Sequence, residues 1–190
     1  LVERLGSTDI VLCGALYNYG APQDLSGFAV PLRRFLAQGG AIVITDANYD
    51  SHVDWLASLR PDLTAEIEAC QAQAGSLTIP NPGHPLLNYP HKWRPRPMWS
   101  HLKLGPGWDV LASDADGGSV LAVAGEGRGA VWLSSNWSLP GQCLEGIWEW
   151  LQTRRLGLDV REIHGFGELR PGDSHARMAV ASLDGSPVRA

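Results

Sequence analysis

The first third of the chain alternates continuous apolar runs with helical periodicity. The runs at 9–16 (DIVLCGAL) and 41–45 (AIVIT) are apolar throughout, which is typical of strands covered on both faces. Between them, residues 26–38 repeat apolar positions at helical spacing before a glycine stop. The apolar face of that helix holds Phe28, Leu32, Phe35 and Leu36. With a further short helix at 52–59, this order predicts an α/β domain with a parallel sheet and right-handed crossovers.

The middle of the chain, 61–107, is rich in proline and less regular. A short helical segment is predicted near 65–73. Proline fixes φ and removes a backbone donor, so the series of prolines from Pro80 to Pro106 predicts neither a long helix nor a central strand here.

The residues from 108 onward predict antiparallel strands followed by a helix. The sequence WDVLASDADGGSVLAVAGEGRGAVWLSSNW indicates three strands joined by two glycine-rich turns. The helix that follows begins near Ser138, and its predicted buried residues are Leu144, Ile147, Trp148 and Leu151. Residues 157–190 change to glycine-rich, extended sequence. We therefore predict one domain over 1–156 and an extended C-terminal segment over 157–190 that begins a β-rich neighbour.

Composition and charge narrow the class of partner. A formal net charge of -5 disfavours nucleic acid, and no apolar run approaches the roughly 18 residues that a membrane span requires. The cysteines, Cys13, Cys70 and Cys143, are too few and too scattered for a disulfide framework or a zinc site. We therefore expect no metal and no cofactor, and the N-terminal sequence does not indicate a compartment.

The order of short motifs carries a family resemblance over about residues 8–155. The motifs are DIVLCGAL, GGAIVITDANY, GHPLL, GWDVLAS, GEGRGAVWLSSNW and EGIWEWL. In this order they resemble the class I glutamine amidotransferase-like superfamily, and within it trehalose-utilisation-like proteins and the middle domain of certain β-galactosidases. The resemblance implies a flavodoxin-like three-layer sandwich with a mostly parallel sheet and a late antiparallel hairpin. In that fold a first strand precedes DIVLCGAL, and we expect it upstream of Leu1.

The same resemblance implies that amidotransferase chemistry is absent. Family amidotransferases carry a Cys in the elbow after the strand that AIVIT matches, and that position falls at about Asp46. Their His and Glu positions fall near Asn136 and Ser138. None of the three positions therefore holds the family residue. A thiolate nucleophile needs a base within hydrogen-bond reach, and both are missing at these positions, so we expect no amidotransferase activity.

Polar residues at the carboxyl ends of the predicted strands are the first candidates for ligand contact, since crevices form there in open α/β sheets. They are Tyr17, Asp46, Asn48, Tyr49, Asn136 and Trp137. Four groups able to bind a metal also cluster after AIVIT, namely Asp46, Asp50, His52 and Asp54. Their spacing matches no metal motif, so helix capping and solvation are the favoured interpretation.

The segment 91–108 (HKWRPRPMWSHLKLGPGW) interleaves basic and aromatic residues in an otherwise acidic chain. Trp93, Arg94 and Trp99 are candidate ligand contacts, because indole faces stack on sugar rings and guanidinium groups bind carboxylates. The alternative is that the tryptophans anchor a long loop onto the sheet while the charges are solvated.

These patterns lead to a non-catalytic binding or assembly domain of a larger protein, related to carbohydrate metabolism. Its expected partners are a carbohydrate or other small molecule and neighbouring domains of the same polypeptide, with no nucleic acid and no membrane. One alternative is a hydrolase that uses Asp46 with a His from the 84–101 loop, which requires a His nitrogen within reach of Asp46. Another is a purely structural oligomerisation domain.

Overall fold

The computed structural model describes most of the chain in several stretches. These are residue 5 and residues 8–14, 17–18, 21–22, 24–48, 51–70, 76–90, 92–96, 100–135, 141–164 and 177–182. The strands are β1 (Ile10–Gly14), β2 (Tyr17–Asn18), β3 (Ala21–Pro22), β4 (Ala41–Thr45), β5 (Ala65–Ala69), β6 (Ser100–Leu104), β7 (Asp109–Ser113), β8 (Ser119–Glu126), β9 (Gly129–Ser134), β10 (Leu158–His164) and β11 (Arg177–Ser182). The α-helices are α1 (Ala29–Ala37), α2 (Leu56–Leu59), α3 (Pro85–Asn88) and α4 (Gly141–Arg155), and a 3₁₀ turn at Ser26–Phe28 leads into α1.

Seven strands form one open sheet in the order β1-β4-β9-β8-β6-β5, with β7 paired to β8. Strands β1, β4 and β9 run parallel to one another, and the strands beyond β9 pair antiparallel. Two small antiparallel pairs, β2 with β3 and β10 with β11, lie outside this sheet. The predicted α/β, flavodoxin-like fold is confirmed.

The core lies on both faces of the two central strands, β4 and β9, in which every residue is buried. On one face Ile42 and Ile44 pack in a cluster with α1 and α2. On the other face Val43 and Trp132 pack with α4. Because side chains of a strand alternate between faces, a fully apolar strand needs a helical layer on each side, and three layers result.

The hairpin of β8 and β9 confirms the strand prediction for 108–135. Its turn is Gly127-Arg128, and Gly127 has a φ of 55°. A two-residue turn with positive φ at its first position favours glycine there, so GEGRG is a turn and not a phosphate loop.

Two predictions for the middle of the chain were wrong. Residues 65–69 form strand β5 and not a helix, because AEIEA alternates Ala65 and Ile67 toward the core with two glutamates on the opposite face. Residues 100–104 form β6 inside the sheet, between β8 and β5. That strand fits between Pro97 and Pro106, so it loses no backbone donor to proline.

Three burial predictions were also wrong. Strand β1 is an edge of the described sheet, and Leu12 is 55% exposed and not covered on both faces. Trp148 of α4 is exposed, while Trp150 is buried in its place and donates its indole N–H to the Val160 carbonyl at 3.4 Å. Phe28 is also exposed because it lies in the 3₁₀ turn and not in the helix.

The boundary predicted at residue 156 stays a prediction. Val160 of β10 is nevertheless buried against the cluster around α4. Among the residues that the structure describes, no helix has the length and apolar character that crossing a bilayer requires.

The guanidinium group of Arg60 links the loop after α2, the loop before β7 and the end of strand β8. Arg60 Nη1 donates to the Gly125 carbonyl at 2.8 Å, and Nη2 donates to the Gly107 carbonyl at 2.9 Å. Its Nε donates to Asp62 Oδ1 at 2.6 Å. Nη1 also donates to Glu126 Oε2 at 3.0 Å. Burial opposes the charge, but the carboxylates of Asp62 and Glu126 raise the pKa of Arg60 above its usual value, so the group stays cationic.

Candidate functional site

The elbow after β4, residues 46–48, has the geometry of a sharp turn. Asp46 has a φ of 57°, and no other non-glycine residue in the described ranges has a positive φ. Its Oδ1 accepts a hydrogen bond from Asn48 Nδ2 at 3.3 Å, and its carbonyl accepts one from Ser51 Oγ at 3.2 Å. Ser51 Oγ in turn accepts from the Asn48 N–H at 3.1 Å. The side chains of Asp46, Asn48 and Ser51 therefore stabilise the turn in which they lie.

The elbow is also attached to the sheet on both sides. The Ala47 N–H donates to the Ser134 carbonyl of β9 at 3.1 Å, and Ser100 Oγ of β6 donates to the Ala47 carbonyl at 3.2 Å. Ala47 and Ser100 are both buried. These bonds fix Asp46 and Asn48 at the carboxyl end of β4, where the sequence predicted them.

Several predicted site residues lie outside the described residues. They are Tyr49, Trp99, Asn136 and Trp137, together with Asp50, His91 and Ser138. Tyr17 is described only as part of the backbone of β2. The crevice predicted from these residues therefore stays a prediction.

Trp93 and Arg94 lie against α3. The Trp93 ring centroid is 5.9 Å from that of buried Trp132, at 43°. Arg94 Nη1 donates to the Leu87 carbonyl at 2.6 Å and to the Trp93 carbonyl at 2.7 Å, and its Nη2 donates to Asn88 Oδ1 at 3.2 Å. Trp93 packs on the sheet, as the anchoring interpretation of 91–108 has it, whereas Arg94 is hydrogen-bonded to the protein and not simply solvated. Ligand contact by either residue stays a prediction.

Two of the histidines that the hydrolase alternative could use, His84 and His101, have other described contacts, and His91 lies outside the described residues. His84 Nδ1 accepts from the Leu86 N–H at 3.3 Å at the start of α3, and its ring centroid is 6.1 Å from that of Trp150. Both ring nitrogens of His101 face carboxylates other than Asp46. The alternative therefore stays a hypothesis.

A second polar group, which we call the edge cluster, consists of Glu68, Cys70, His101 and Asp114. His101 Nδ1 lies 2.7 Å from Asp114 Oδ2, and Nε2 lies 3.3 Å from Glu68 Oε2. Glu68 Oε1 accepts from Lys103 Nζ at 2.6 Å. One possible ligand atom from each of Cys70, His101 and Asp114 lies within 4.8 Å of the other two.

The electrostatics of the edge cluster favour a charged imidazole. Burial lowers the pKa of His101, but hydrogen bonds to Asp114 and Glu68 outweigh it and hold the pKa above its usual value. The hydrogen bonds from Lys103 and His101 hold the pKa of Glu68 below its usual value. An ionised carboxylate can only accept, so each ring nitrogen that faces one is held as a donor.

The edge cluster could not be assembled from the sequence alone, because its members come from three different strands or the residues that directly follow them. The signal was the alternation of AEIEA against SHLKL, which in antiparallel register sets Glu66 opposite Lys103 and Glu68 opposite His101. Opposite charges directly across two strands favour that pairing.

A cavity of about 570 Å³ lies beside the segments that Arg60 links, and Arg60 is part of its lining. Its polar lining comes from an aspartate, an asparagine, a histidine and two arginines, and its apolar lining includes an indole. The lining includes Asn81, His84, Asp109, Trp150 and Arg154. Arg154 lies over the Trp150 ring, with its guanidinium carbon 5.0 Å from the centroid, so the two side chains form one wall.

Comparisons with known proteins identify the fold. No protein-family model and no curated protein matches the sequence. The β-galactosidase from Bacillus circulans sp. alkalophilus is similar to this chain in structure, with a TM-score of 0.51 and 20% identity over 84% of this chain and 26% of that one. A cytoplasmic protein of Salmonella typhimurium LT2 has a TM-score of 0.48 and 13% identity over 82% of this chain and 71% of its own. An exo-β-1,4-mannosidase from Opitutaceae bacterium strain TAV5 has a TM-score of 0.44 and 14% identity over 80% and 24%.

The likeness to the β-galactosidase shows that this fold occurs within that chain, of which the present chain spans about a quarter (26%). That agrees with the fold implied by the amidotransferase-like resemblance, while membership of the superfamily stays a prediction. By structure, the chain is an α/β domain with a flavodoxin-like sheet.

Proposed function

We propose that this chain is a non-catalytic, carbohydrate-binding domain of a larger protein. A β-galactosidase uses the same fold over about a quarter of its length, which supports a role as one domain among several. Neighbouring domains of the same polypeptide are then its first partners.

The observation that carries the proposal is the cavity beside Trp150. Its volume of about 570 Å³ lies in the range of small-molecule sites, which combine apolar walls with a few placed polar groups. Asp109, Asn81 and His84 line it with groups of the kind that exchange hydrogen bonds with sugar hydroxyls. Its two arginines have backbone carbonyl acceptors, Gly107 and Gly125 for Arg60 and Gly127 for Arg154, so both contribute to the frame of the cavity.

The elbow supports a non-catalytic role. The Asp46 carboxylate bonds to the side-chain amide of Asn48, two residues away, and the described contacts of His84 and His101 are with other groups. A carboxylate nucleophile or general base works on a substrate or water that a partner group also orients. The hydrolase alternative is favoured only by the positive φ of Asp46, since strained backbone is common at reactive elbows.

Saturation-transfer NMR with galactose, mannose and cellobiose tests the proposal on the 190-residue chain. We expect transfer from at least one neutral sugar, with a Kd on the order of 1 mM, and a loss of about tenfold in affinity for Asp109→Ala because one hydrogen bond to a charged group is removed. Asp116→Ala is the matched control, since it removes an exposed aspartate that is not part of this cavity, and it should bind within about twofold of wild type.

Two results would contradict carbohydrate binding in this cavity. One is the absence of transfer from all three sugars at about 10 mM, roughly ten times the expected Kd. The other is a sugar that binds wild type and Asp109→Ala equally, which would place the ligand elsewhere on the domain.

A further inference from the structure

Three groups that bind metals converge at one edge of the sheet, although they are far apart in the sequence. Cys70 directly follows β5, His101 lies on β6, and Asp114 directly follows β7. A thiol sulfur, an imidazole nitrogen and a carboxylate oxygen, one from each, lie within 4.8 Å of one another.

We propose that the edge cluster is a binding site for a divalent cation of the zinc class. Cys70 Sγ, His101 Nδ1 and Asp114 Oδ2 are the protein ligands, and a water completes the shell. Glu68 faces the other ring nitrogen, Nε2, and orients the imidazole by accepting its hydrogen bond. Sulfur, imidazole and carboxylate together are typical of zinc and not of magnesium or calcium, which prefer oxygen alone. The site is independent of the carbohydrate cavity.

The distances are compatible with a tetrahedral shell. Zinc bonds of about 2.0–2.3 Å at tetrahedral angles separate neighbouring ligand atoms by roughly 3.3–3.7 Å. His101 Nδ1 and Asp114 Oδ2 are 2.7 Å apart, so they have to separate by less than about 1 Å to admit an ion between them. Cys70 Sγ lies within 4.8 Å of both ligand atoms, which leaves shifts on the order of 1 Å that side-chain torsions can supply.

Two of the ligands are positioned by backbone. Asp114 Oδ1 accepts from the N–H groups of Asp116 at 3.0 Å and Gly118 at 2.9 Å, which directs Oδ2 toward His101. Gly118 lies so close to the imidazole that a Cβ there would be 2.1 Å from His101 Cγ. The Asp114 side chain is only 2% exposed, so its carboxylate is already removed from water. The backbone of the Asp114 turn thus orients the Asp114 carboxylate and the His101 imidazole toward each other. In known metal sites, hydrogen bonds from surrounding groups orient the ligands in the same way.

Charge and proton balance also fit a dication. A thiolate and the Asp114 carboxylate together neutralise two positive charges, with Glu68 beside them and Lys103 at its outer oxygen. On binding, the Cys70 thiol releases one proton, and a charged His101 releases another to solvent. No oxidant or reductant is involved.

Cobalt titration of the metal-free chain tests the site. Co²⁺ bound by a thiolate gives charge-transfer absorption in the near ultraviolet and visible bands typical of tetrahedral geometry. We expect saturation at one Co²⁺ per chain and displacement by one equivalent of Zn²⁺. Cys70→Ser and His101→Gln should weaken Co²⁺ binding by about 100-fold or more, since loss of an outer-shell partner already costs about 10–100-fold.

Matched controls come from the same residue types elsewhere. Cys13→Ser and His52→Gln remove a cysteine and a histidine outside the cluster, and both should keep Co²⁺ affinity within about twofold. Zn²⁺ should raise the melting temperature of wild type but not of Cys70→Ser, whose circular dichroism without metal reports whether it folds.

Two results would overturn the proposal. Co²⁺ that binds without thiolate absorption, or absorption that survives in Cys70→Ser, excludes Cys70 as a ligand. Absence of one-to-one binding by the folded wild-type chain leaves the edge cluster as a hydrogen-bonded network alone.

Discussion

The elbow after β4 and the edge cluster are close neighbours with opposite organisation. Ser100 donates to the elbow at the Ala47 carbonyl, and the next residue, His101, is the centre of the edge cluster. In the elbow, the hydrogen bonds among Asp46, Asn48 and Ser51 join residues at most five positions apart. In the edge cluster, the partners of His101 are 13 and 33 residues away.

The difference shows what polar residues that are close in sequence usually do. Asp, Asn and Ser close to a turn can satisfy the backbone of that turn, which leaves less of their hydrogen-bonding capacity for a ligand. In the edge cluster, Asp114 also holds its own turn through Oδ1, but its other oxygen and the side chains of Glu68 and His101 bond between strands. Their convergence is costly unless charges and hydrogen bonds match, as they do around His101.

The largest effect is expected for Asp114→Ala. The change removes two backbone hydrogen bonds and leaves a charged His101 without its closest partner, so the free energy of unfolding should fall by about 3–5 kcal/mol. Urea denaturation measures it, and Asp116→Ala, in the same loop, should change it by less than about 0.5 kcal/mol. A loss below about 1 kcal/mol for Asp114→Ala would mean that the hydrogen bonds of the edge cluster contribute no more to the free energy of unfolding than those of the elbow.

A pH effect of intermediate size is expected from His101. Its pKa is raised in the folded state, so its contribution is fully present below the unfolded pKa and is lost as pH rises through the folded pKa. The pKa of Glu68 is lowered, so its contribution is present above its unfolded pKa and is lost in acid. The stability difference between wild type and His101→Gln should therefore be greatest between about pH 5 and 6.5 and should shrink by about 1–3 kcal/mol in alkali.

Denaturation at a series of pH values with a chelator present measures this difference. The chelator matters because a bound cation would replace the imidazole proton and hide the titration. A difference that stays constant from about pH 5 to 9 would show that His101 does not bridge the two carboxylates as a cation.

The smallest effect is expected at the elbow. Asp46→Ala should lower the free energy of unfolding by about 1–2 kcal/mol, because alanine tolerates a φ of 57° poorly and cannot bond to Asn48. Asp46→Gly should recover most of that loss, since glycine adopts this φ without strain. The comparison of the two variants by urea denaturation isolates backbone strain. Equal losses would mean that the carboxylate, and not the backbone conformation, stabilises the elbow.

Local sequence patterns were enough to predict strand β4, helix α1 and the β8–β9 hairpin. Strand β4 is apolar throughout, α1 has one apolar face and a glycine at its end, and the β8–β9 hairpin has glycine at its turn. Each of these patterns allows few other structures. The location of Asp46 and Asn48 at a strand end followed from β4 alone.

The other parts of the fold and the edge cluster depend on which strands and helices contact each other, and local sequence patterns do not determine those contacts. Ala, Glu and Gln around β5 favour a helix by intrinsic propensity, and pairing with β6 overrides it. Once that strand was misassigned as a helix, neither the register of Glu68 with His101 nor the approach of Cys70 could be derived. The exposure of Trp148 in place of Trp150 likewise depends on how α4 is rotated against β10.

The bonds of Arg60 have a consequence for the order of events during synthesis. Its two carbonyl acceptors lie 47 and 65 residues later in the chain. Because the chain is synthesised from its N-terminus, Arg60 cannot form these hydrogen bonds until both later segments have been made. Strand β4 likewise cannot pair with its second neighbour, β9, until β9 has been made. The centre of the sheet is therefore assembled late, and a chain interrupted before residue 125 would keep the open edge of β4 available for pairing with other nascent chains.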